Sequence, residues 1–444
     1  MESTLELNDF SPPSAPSLGQ QRDALQKGLG RAAQWATSGV LASEPLLDAC
    51  LHDMRFDQQC EDNRGEWLWR LISITDNTSE FREPLLTALR NVNEAHDAYQ
   101  LCDLAMHFAR SGDEAFRNLL YEFVGRRQIP DSPSIGEGQL LSLDGEDAFL
   151  FLARLRGQSL LTRVWGWDDG AVIDAAIEEY GEARVREILT HSTEPEIFGF
   201  ANGWLENQKS PVDRDAWRQE KDEKIAAATV SDVILAAETE PNCFWLRTWG
   251  KQASANDLEM VLERLFSEHD PTVIINLLHL FALRPFDRFD DRLIELCKHS
   301  DRKVQRRTFN VLCENSFPEI RALALAEIQK NSLGFPPIGL LIKNYQPGDE
   351  QLVLDQVELP EDPGDRHWML IDLCNLLKEN ETADSSKLGQ LAYFHNPCQM
   401  CRCSAAELLF SQGCVPAWLA EECRFDAEEE TRSLVDEPRE KSPD

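Results

Sequence analysis

A group of histidine and cysteine residues near the C-terminal end is the part of the sequence best suited to chemistry. His395, Cys398 and Cys401 follow one another at three-residue intervals, and Cys414 comes 13 residues later. Imidazole and thiolate are the ligands that Zn²⁺ prefers, and a structural zinc site needs four of them in a tetrahedron. On a helix opened by Pro397, the two thiols at 398 and 401 would lie ~60° apart on one face. The candidate zinc ligands are therefore His395, Cys398, Cys401 and Cys414.

The same thiols also fit a purely structural role. Most of the twelve cysteines, such as Cys297 and Cys313, lie inside apolar helical patterns, where cysteine packs as a small hydrophobic residue. Residues Cys398 and Cys401 follow this spacing as well. We favour the structural interpretation and expect no bound metal and no other cofactor.

Four basic residues form the second candidate site. Residues 280–330 contain ten Lys/Arg and eight Asp/Glu, a net charge of +2 within a chain of net charge −34. Four of these cations share one face of a predicted helix: Arg302, Lys303, Arg306 and Arg307. Such a face could bind an acidic segment or a phosphorylated group of a partner protein. Alternatively, its cations pair with Asp301, Glu319 and acids of neighbouring helices.

The overall charge narrows the range of partners. The chain has 78 Asp/Glu against 44 Lys/Arg, so it should repel nucleic-acid phosphates and anionic lipid surfaces. The longest nearly apolar run, 272–283, is too short to span a membrane. The acidic N-terminus lacks a secretory signal, and the cysteines are too sparse for a disulfide scaffold. We expect a cytoplasmic protein whose partner is another protein, without nucleic-acid or membrane binding.

The sequence predicts helices almost everywhere, including those that carry the candidate site residues. Val304, Thr308 and Val311 recur at helical spacing, for example. Residues 101–110 and 115–124 predict a helical hairpin, with Gly112 ending the first helix and Asp113 capping the second. Residues 139–143 are the one segment with strand-like alternation. The predicted fold class is all-α.

Internal repeats organise these helices. The segment Ile188–Phe198 returns as Ile234–Phe244 at a spacing of 46 residues, each with a Thr-Glu-Pro turn between helices. Further junctions at Asp270, Asp301 and Pro318 place a β-branched residue and an apolar helix after an Asp or Pro turn. This pattern, clearest at 318–328 and 402–409, resembles the HEAT repeat of the HEAT/armadillo α-solenoid superfamily. The resemblance covers about 185–415 and is weaker over 20–180.

The resemblance implies a solenoid of stacked antiparallel helix pairs, a curved rod with one long concave surface. The predicted organisation is a flexible leader (1–18), an N-terminal helical region of degenerate repeats or a helical cap (19–180), the solenoid (181–424) and an acidic flexible tail (425–444). HEAT-type hydroxylases hold paired iron with His-Glu dipeptides, and this sequence has none.

Three functions are compatible with this architecture. The first is a non-enzymatic scaffold that binds a partner protein on the concave surface, with the four cations as a focus. The second is an enzyme, or a protein that handles a chromophore or metal, with a site near His395–Cys414. The third is a HEAT-like DNA-base glycosylase, which would need a basic concave face. No phosphate-binding loop, Gly-x-Ser-x-Gly elbow or His-Glu-x-x-His motif is present, so the scaffold is favoured.

Overall fold

The helical spacing of the sequence corresponds to helices throughout the described residues. The computed structural model describes residues 10–75, 77–129, 131–162, 170–209, 214–330 and 337–436, and those ranges contain no strand. The all-α prediction is confirmed. Residues 139–143 belong to a helix, and the burial of both Gln139 and Leu140, which are consecutive, does not follow strand-like alternation. None of the helices in the described part of the chain has the length and apolar character of a membrane span.

The chain divides into two compact units, which we name by their main position in the sequence. The N-terminal unit comprises Pro12–Val212 and Ala420–Asp444, and the C-terminal unit comprises Met1–Ser11 and Asp213–Leu419. The boundary predicted from the sequence, at 180/181, lies within the N-terminal unit. The helices of the N-terminal unit are α1 (Leu18–Lys27), α2 (Arg31–Thr37), α3 (Ser43–Leu51), α4 (Gly65–Ile74), α5 (Thr78–Asn91), α6 (Ala95–Arg110), α7 (Glu114–Arg126), α8 (Glu137–Leu161), α9 (Ala171–Tyr180), α10 (Glu182–His191) and α11 (Pro195–Lys209).

The C-terminal unit continues the series. Its helices are α12 (Arg214–Ala227), α13 (Val230–Thr239), α14 (Leu246–Gln252), α15 (Ala255–Phe266), α16 (Pro271–His279), α17 (Arg292–Leu296), α18 (Arg302–Leu312), α19 (Pro318–Lys330), a 3₁₀ helix (Ile338–Leu341), α20 (Asp349–Gln356), α21 (Pro363–Glu379), α22 (Ser386–His395) and α23 (Gln399–Ser411). Two further helices, α24 (Ala417–Cys423) and α25 (Glu429–Asp436), follow, with α25 in the N-terminal unit.

Side-chain caps fix where several predicted helices begin. Asp113 accepts from the backbone N–H of Ala115 at 3.0 Å and starts α7, as the hairpin prediction required. Asp270 caps α16 in the same way, and Asp301 caps α18 through the N–H of Lys303 at 2.7 Å. An Asp at the N-cap satisfies amide groups that have no partner within the helix. The sequence junctions are therefore real helix starts.

The two copies of the 46-residue repeat do not end alike. Pro195 is the first residue of α11, as expected for proline. Pro241, its counterpart, precedes α14 by five residues, since that helix begins at Leu246. The second copy thus has a longer turn and a shorter second helix.

The last helix is part of the N-terminal unit rather than a solvated extension. Arg31 and Glu422, both buried, form an ion pair at 2.7 Å, and the indole N–H of Trp67 donates to the carbonyl of Phe425 at 2.9 Å. Gly30 permits this contact, because a Cβ there would lie 1.9 Å from the carbonyl oxygen of Glu422. Of the predicted flexible tail (425–444), Asp426, Glu428 and Thr431 are buried, whereas 437–444 lie outside the described residues. Of the predicted leader, residues 1–9 also lie outside them.

Asparagine side chains tie successive loops together in the C-terminal unit. Asn315 accepts from the backbone N–H of Phe286 at 2.6 Å, and Asn344 accepts from that of Phe317 at 3.0 Å. Asn344 also donates to the carbonyl of Asn315 at 2.8 Å. Each amide satisfies the backbone of a loop about 30 residues away, so consecutive helix pairs share the same kind of link.

Candidate functional site

The basic face predicted from the sequence lies on α18. Val304, Thr308 and Val311 are buried on the inner side of this helix, which turns the cations outward. Arg302, Lys303 and Arg306 are exposed, and Arg307 is half-buried. The helical stripe in the sequence was thus sufficient to predict which side of α18 carries the charge.

Three of these cations line a pocket of about 320 Å³ between α18, the 3₁₀ helix and α21. Its lining includes Arg302, Lys303 and Arg306 from α18, and Trp368 from α21. The guanidinium of Arg306 lies 4.4 Å from the centroid of the Trp368 ring, a cation–π contact. The Trp368 side chain is nevertheless 51% exposed. The pocket thus combines three cations with an accessible aromatic ring.

Most of the positive charge at this site is not neutralised. Arg302 has one ion pair, at 3.7 Å to Asp365, while Asp301 is engaged in capping α18. Among the residues that the structure describes, no carboxylate lies within ion-pair distance of Lys303, Arg306 or Arg307. Of the alternative in which these cations pair with Asp301, Glu319 and acids of neighbouring helices, the structure shows one ion pair, that of Arg302 with Asp365 of α21.

Further cations surround the half-buried Arg307. Burial, together with Arg247 and Arg306, lowers the pKa of the Arg307 guanidinium. His279 on α16 is 3% exposed, and its Nδ1 makes no hydrogen bond. Burial, with Arg307 and Arg247 nearby, lowers the pKa of His279 to about 4. This imidazole is therefore neutral at pH 7, and the local field favours an incoming anion.

A carboxylate sits at the floor of the same pocket. Burial raises the pKa of Asp372 to about 6, against the opposing effects of the Gly339 N–H and of Arg306. A Cβ on Gly339 would lie 2.8 Å from both Asp372 Oδ2 and Cys313 Sγ, so glycine is needed for this close approach. Asp372 is half-buried, and together with Asp365 it gives the pocket two acids beside its three cations.

A second group of side chains could hold a metal. His367 on α21 and Cys398 and Cys401 at the start of α23 place their ligand atoms within 4.8 Å of one another. His367 Nε2 lies 3.2 Å from Cys401 Sγ. Hydrogen bonding from Cys401, followed by that from His367, holds the pKa of the Cys398 thiol well below its ordinary range. All twelve cysteines lie among the described residues, and none forms a disulfide.

Two members of the predicted zinc set are engaged elsewhere. The ring of His395 packs edge-on against Phe10 and Phe394, with centroid distances of 5.6 and 5.0 Å. The thiol of Cys414 faces the carbonyl of Leu409 at 3.7 Å. The structure therefore brings together Cys398 and Cys401 of that set, and adds His367.

Sequence reasoning missed two functional candidates on α21, His367 and Trp368. His367 lies 31 residues before Cys398, with the whole of α22 between them, so no short motif links it to the thiols. Trp368 has no other tryptophan close to it in the sequence, and no sequence pattern connects it to Arg306. One weak pattern in the sequence indicates both residues: a histidine and a tryptophan are adjacent in a predicted helix whose other face is apolar.

No family is indicated for this chain by comparison with known proteins. Comparison with protein families, with curated proteins and with solved structures finds no match.

Proposed function

We propose that this protein is a non-enzymatic scaffold that binds an acidic segment of a partner protein in the pocket between α18 and α21. The observation that carries the proposal is that Lys303 and Arg306, which line the pocket, form no ion pair with any described carboxylate, in a chain of net charge −34. Like charges held together on one helix cost stability, so a compensating anion would be favourable there.

The side-chain types at the pocket also favour a protein partner. Tryptophan and arginine dominate the binding energy of protein interfaces, and Trp368 and Arg306 are already in contact before any partner arrives. A preformed arrangement reduces the side-chain entropy lost on binding. An acidic side chain could reach the cations while an adjacent apolar residue covers the indole.

We further propose that the helices form a HEAT-like solenoid with the partner on its concave surface. The repeated asparagine links at Asn315 and Asn344, which join consecutive loops, support this proposal. So does the resemblance of the Asp/Pro junctions to HEAT repeats. The reduced cysteines favour a cytoplasmic setting.

The proposal is tested with a fluorescently labelled dodecapeptide of alternating glutamate and leucine, followed by anisotropy. The full-length protein should bind it, with an affinity that falls as salt is raised. Lys303→Glu combined with Arg306→Glu should weaken binding by at least about tenfold, since charge-assisted contacts contribute ~1.5–3 kcal/mol each. A phosphorylated version of the peptide shows whether phosphate replaces carboxylate.

A matched control has the same change in net charge at other exposed lysines. Lys330→Glu combined with Lys387→Glu alters residues that are exposed and outside the pocket. The control should bind within about twofold of the wild type, because screening weakens distant charges. Equal weakening in both double variants, or no binding by the wild type, would contradict the proposal.

A further inference from the structure

The side chains of His367, Cys398 and Cys401 form a preassembled triad. Cys398 is the N-cap of α23, and Cys401 is its third helical residue, so both thiols lie at the first turn. His367 comes from α21, which packs against α23. The three ligand atoms are within 4.8 Å of one another, and His367 Nε2 lies 3.2 Å from Cys401 Sγ.

These separations match those around a tetrahedral zinc ion. With Zn–S near 2.3 Å and Zn–N near 2.0–2.1 Å, two sulfurs lie ~3.8 Å apart, and a sulfur and a nitrogen lie ~3.6 Å apart. The 3.2 Å contact and the 4.8 Å limit of the triad bracket these values. Cys398 and Cys401 are neighbours at the first turn of α23, but His367 comes from a separate helix, so its approach is set by the packing of α21 against α23.

The donor atoms also select the metal. Two sulfurs and one imidazole nitrogen form a soft donor set, which suits zinc and disfavours magnesium and calcium, whose ligands are oxygens. Two thiolates balance the charge of Zn²⁺, so the ion would add no net charge to a partly buried site. The partial positive charge at the N-terminus of α23 favours the thiolate form of its first residues.

Burial leaves one side of the triad accessible. Cys398 is 4% exposed, whereas Cys401 and His367 are half-buried. A zinc ion held by three protein ligands keeps a fourth position for water or another ligand. That fourth position would face solvent on the side of His367 and Cys401, the two half-buried ligands.

We propose that His367, Cys398 and Cys401 bind one Zn²⁺ ion, with a fourth coordination position open to solvent. The ion joins α21 to α23 and fixes the start of α21, where Asp365 and Trp368 line the pocket. This proposal does not depend on the proposed peptide binding, and a failure of either proposal leaves the other unaffected.

The test uses the full-length protein, purified under reducing conditions and freed of metal with a chelator. Zinc content is measured by mass spectrometry after zinc is restored and excess is removed, and Co²⁺ is titrated as a spectroscopic probe. We expect about one Zn²⁺ per chain. Co²⁺ should give the visible bands of tetrahedral coordination and a sulfur-to-cobalt charge-transfer band.

Variants identify the ligands. Cys401→Ser and His367→Gln should each lower zinc affinity by at least about 100-fold, more than the loss of an outer-shell contact costs. Cys414→Ser is the matched control, since that thiol is half-buried and faces the Leu409 carbonyl, and it should keep full zinc content. Circular dichroism establishes that each variant is folded.

Several results would overturn the proposal. One is a wild type that takes up no zinc and shows only octahedral cobalt bands, and another is oxidation to a Cys398–Cys401 disulfide without metal binding. Loss of zinc in Cys414→Ser with retention in His367→Gln would replace His367 by the downstream cysteine. Because the cobalt spectrum of the wild type reports the thiolates directly, a variant that fails to fold does not prevent a decision.

Discussion

Acid sensitivity at His279 is the prediction that the structure defines most sharply. The imidazole is buried against the edge of Phe244, at a ring-centroid distance of 5.2 Å, and the nearby charges are those of Arg307 and Arg247. Burial, aided by both arginines, lowers the pKa of His279 to about 4. Protonation is thus unfavourable in the folded state and free to occur in the unfolded state. We expect the stability contributed by the neutral ring to be lost as the pH falls from about 6.5 towards 4.

The magnitude follows from the difference between the folded and unfolded pKa values. With about 4 in the folded chain and 6.5 in the unfolded chain, the free energy of unfolding should fall by about 2–3 kcal/mol between pH 7 and pH 4.5. Carboxylates also titrate in this range, so the wild type alone does not isolate the effect. His279→Leu removes the titrating group but keeps an apolar side chain of similar size.

Urea denaturation at pH 7, 6, 5.5, 5 and 4.5, followed by circular dichroism, measures this difference. The free energies of unfolding of wild type and His279→Leu should differ by about 2–3 kcal/mol more at pH 4.5 than at pH 7, in favour of the variant. His269→Gln, at an exposed position, is the control and should follow the wild type. Parallel curves for wild type and His279→Leu would refute the reasoning.

Three further predictions concern the pocket and the N-terminal unit. Trp368→Ala should weaken binding of the acidic peptide about tenfold in the anisotropy assay, yet change the free energy of unfolding by less than about 1 kcal/mol, because the ring is half exposed. Glu422→Ala should lower the free energy of unfolding by about 3–5 kcal/mol in urea, because it leaves Arg31 with a buried charge that has lost its 2.7 Å partner. Deletion of 425–444 should lower the melting temperature in calorimetry, because it removes the Phe425 carbonyl that accepts from Trp67 and the Ala427 N–H that donates to Gly28. An unchanged melting temperature would contradict the packing of this segment.

Local features of the fold were predictable because their causes are local. The α6–α7 hairpin follows from Gly112 and Asp113, and the starts of α16 and α18 follow from Asp270 and Asp301. A capping side chain acts within three residues, so the sequence contains the whole interaction. The outward direction of the α18 cations follows in the same way from helical periodicity.

The remaining features depend on contacts between distant segments. Nothing near Cys398 indicates that His367 will supply the third donor, and nothing near Arg306 indicates that Trp368 will face it. The acidic composition of 425–436 predicts solvation, but Asp426, Glu428 and Thr431 are buried, and the backbone N–H of Ala427 donates to the carbonyl of Gly28. Composition describes a segment in isolation and cannot report such partners.

The return of the chain's last helix to the N-terminal unit has a consequence for biosynthesis. Residues 12–212 leave the ribosome long before Ala420–Asp444, with the 207 residues from 213 to 419 made in between. At about 5–20 residues per second, that interval lasts roughly 10–40 s. During it, Arg31 is without the carboxylate of Glu422, and the indole of Trp67 is without the Phe425 carbonyl. The N-terminal unit, most of which is translated first, is therefore completed last, when residues 420–444 have been made. Until then the surface that these residues cover is accessible to a chaperone.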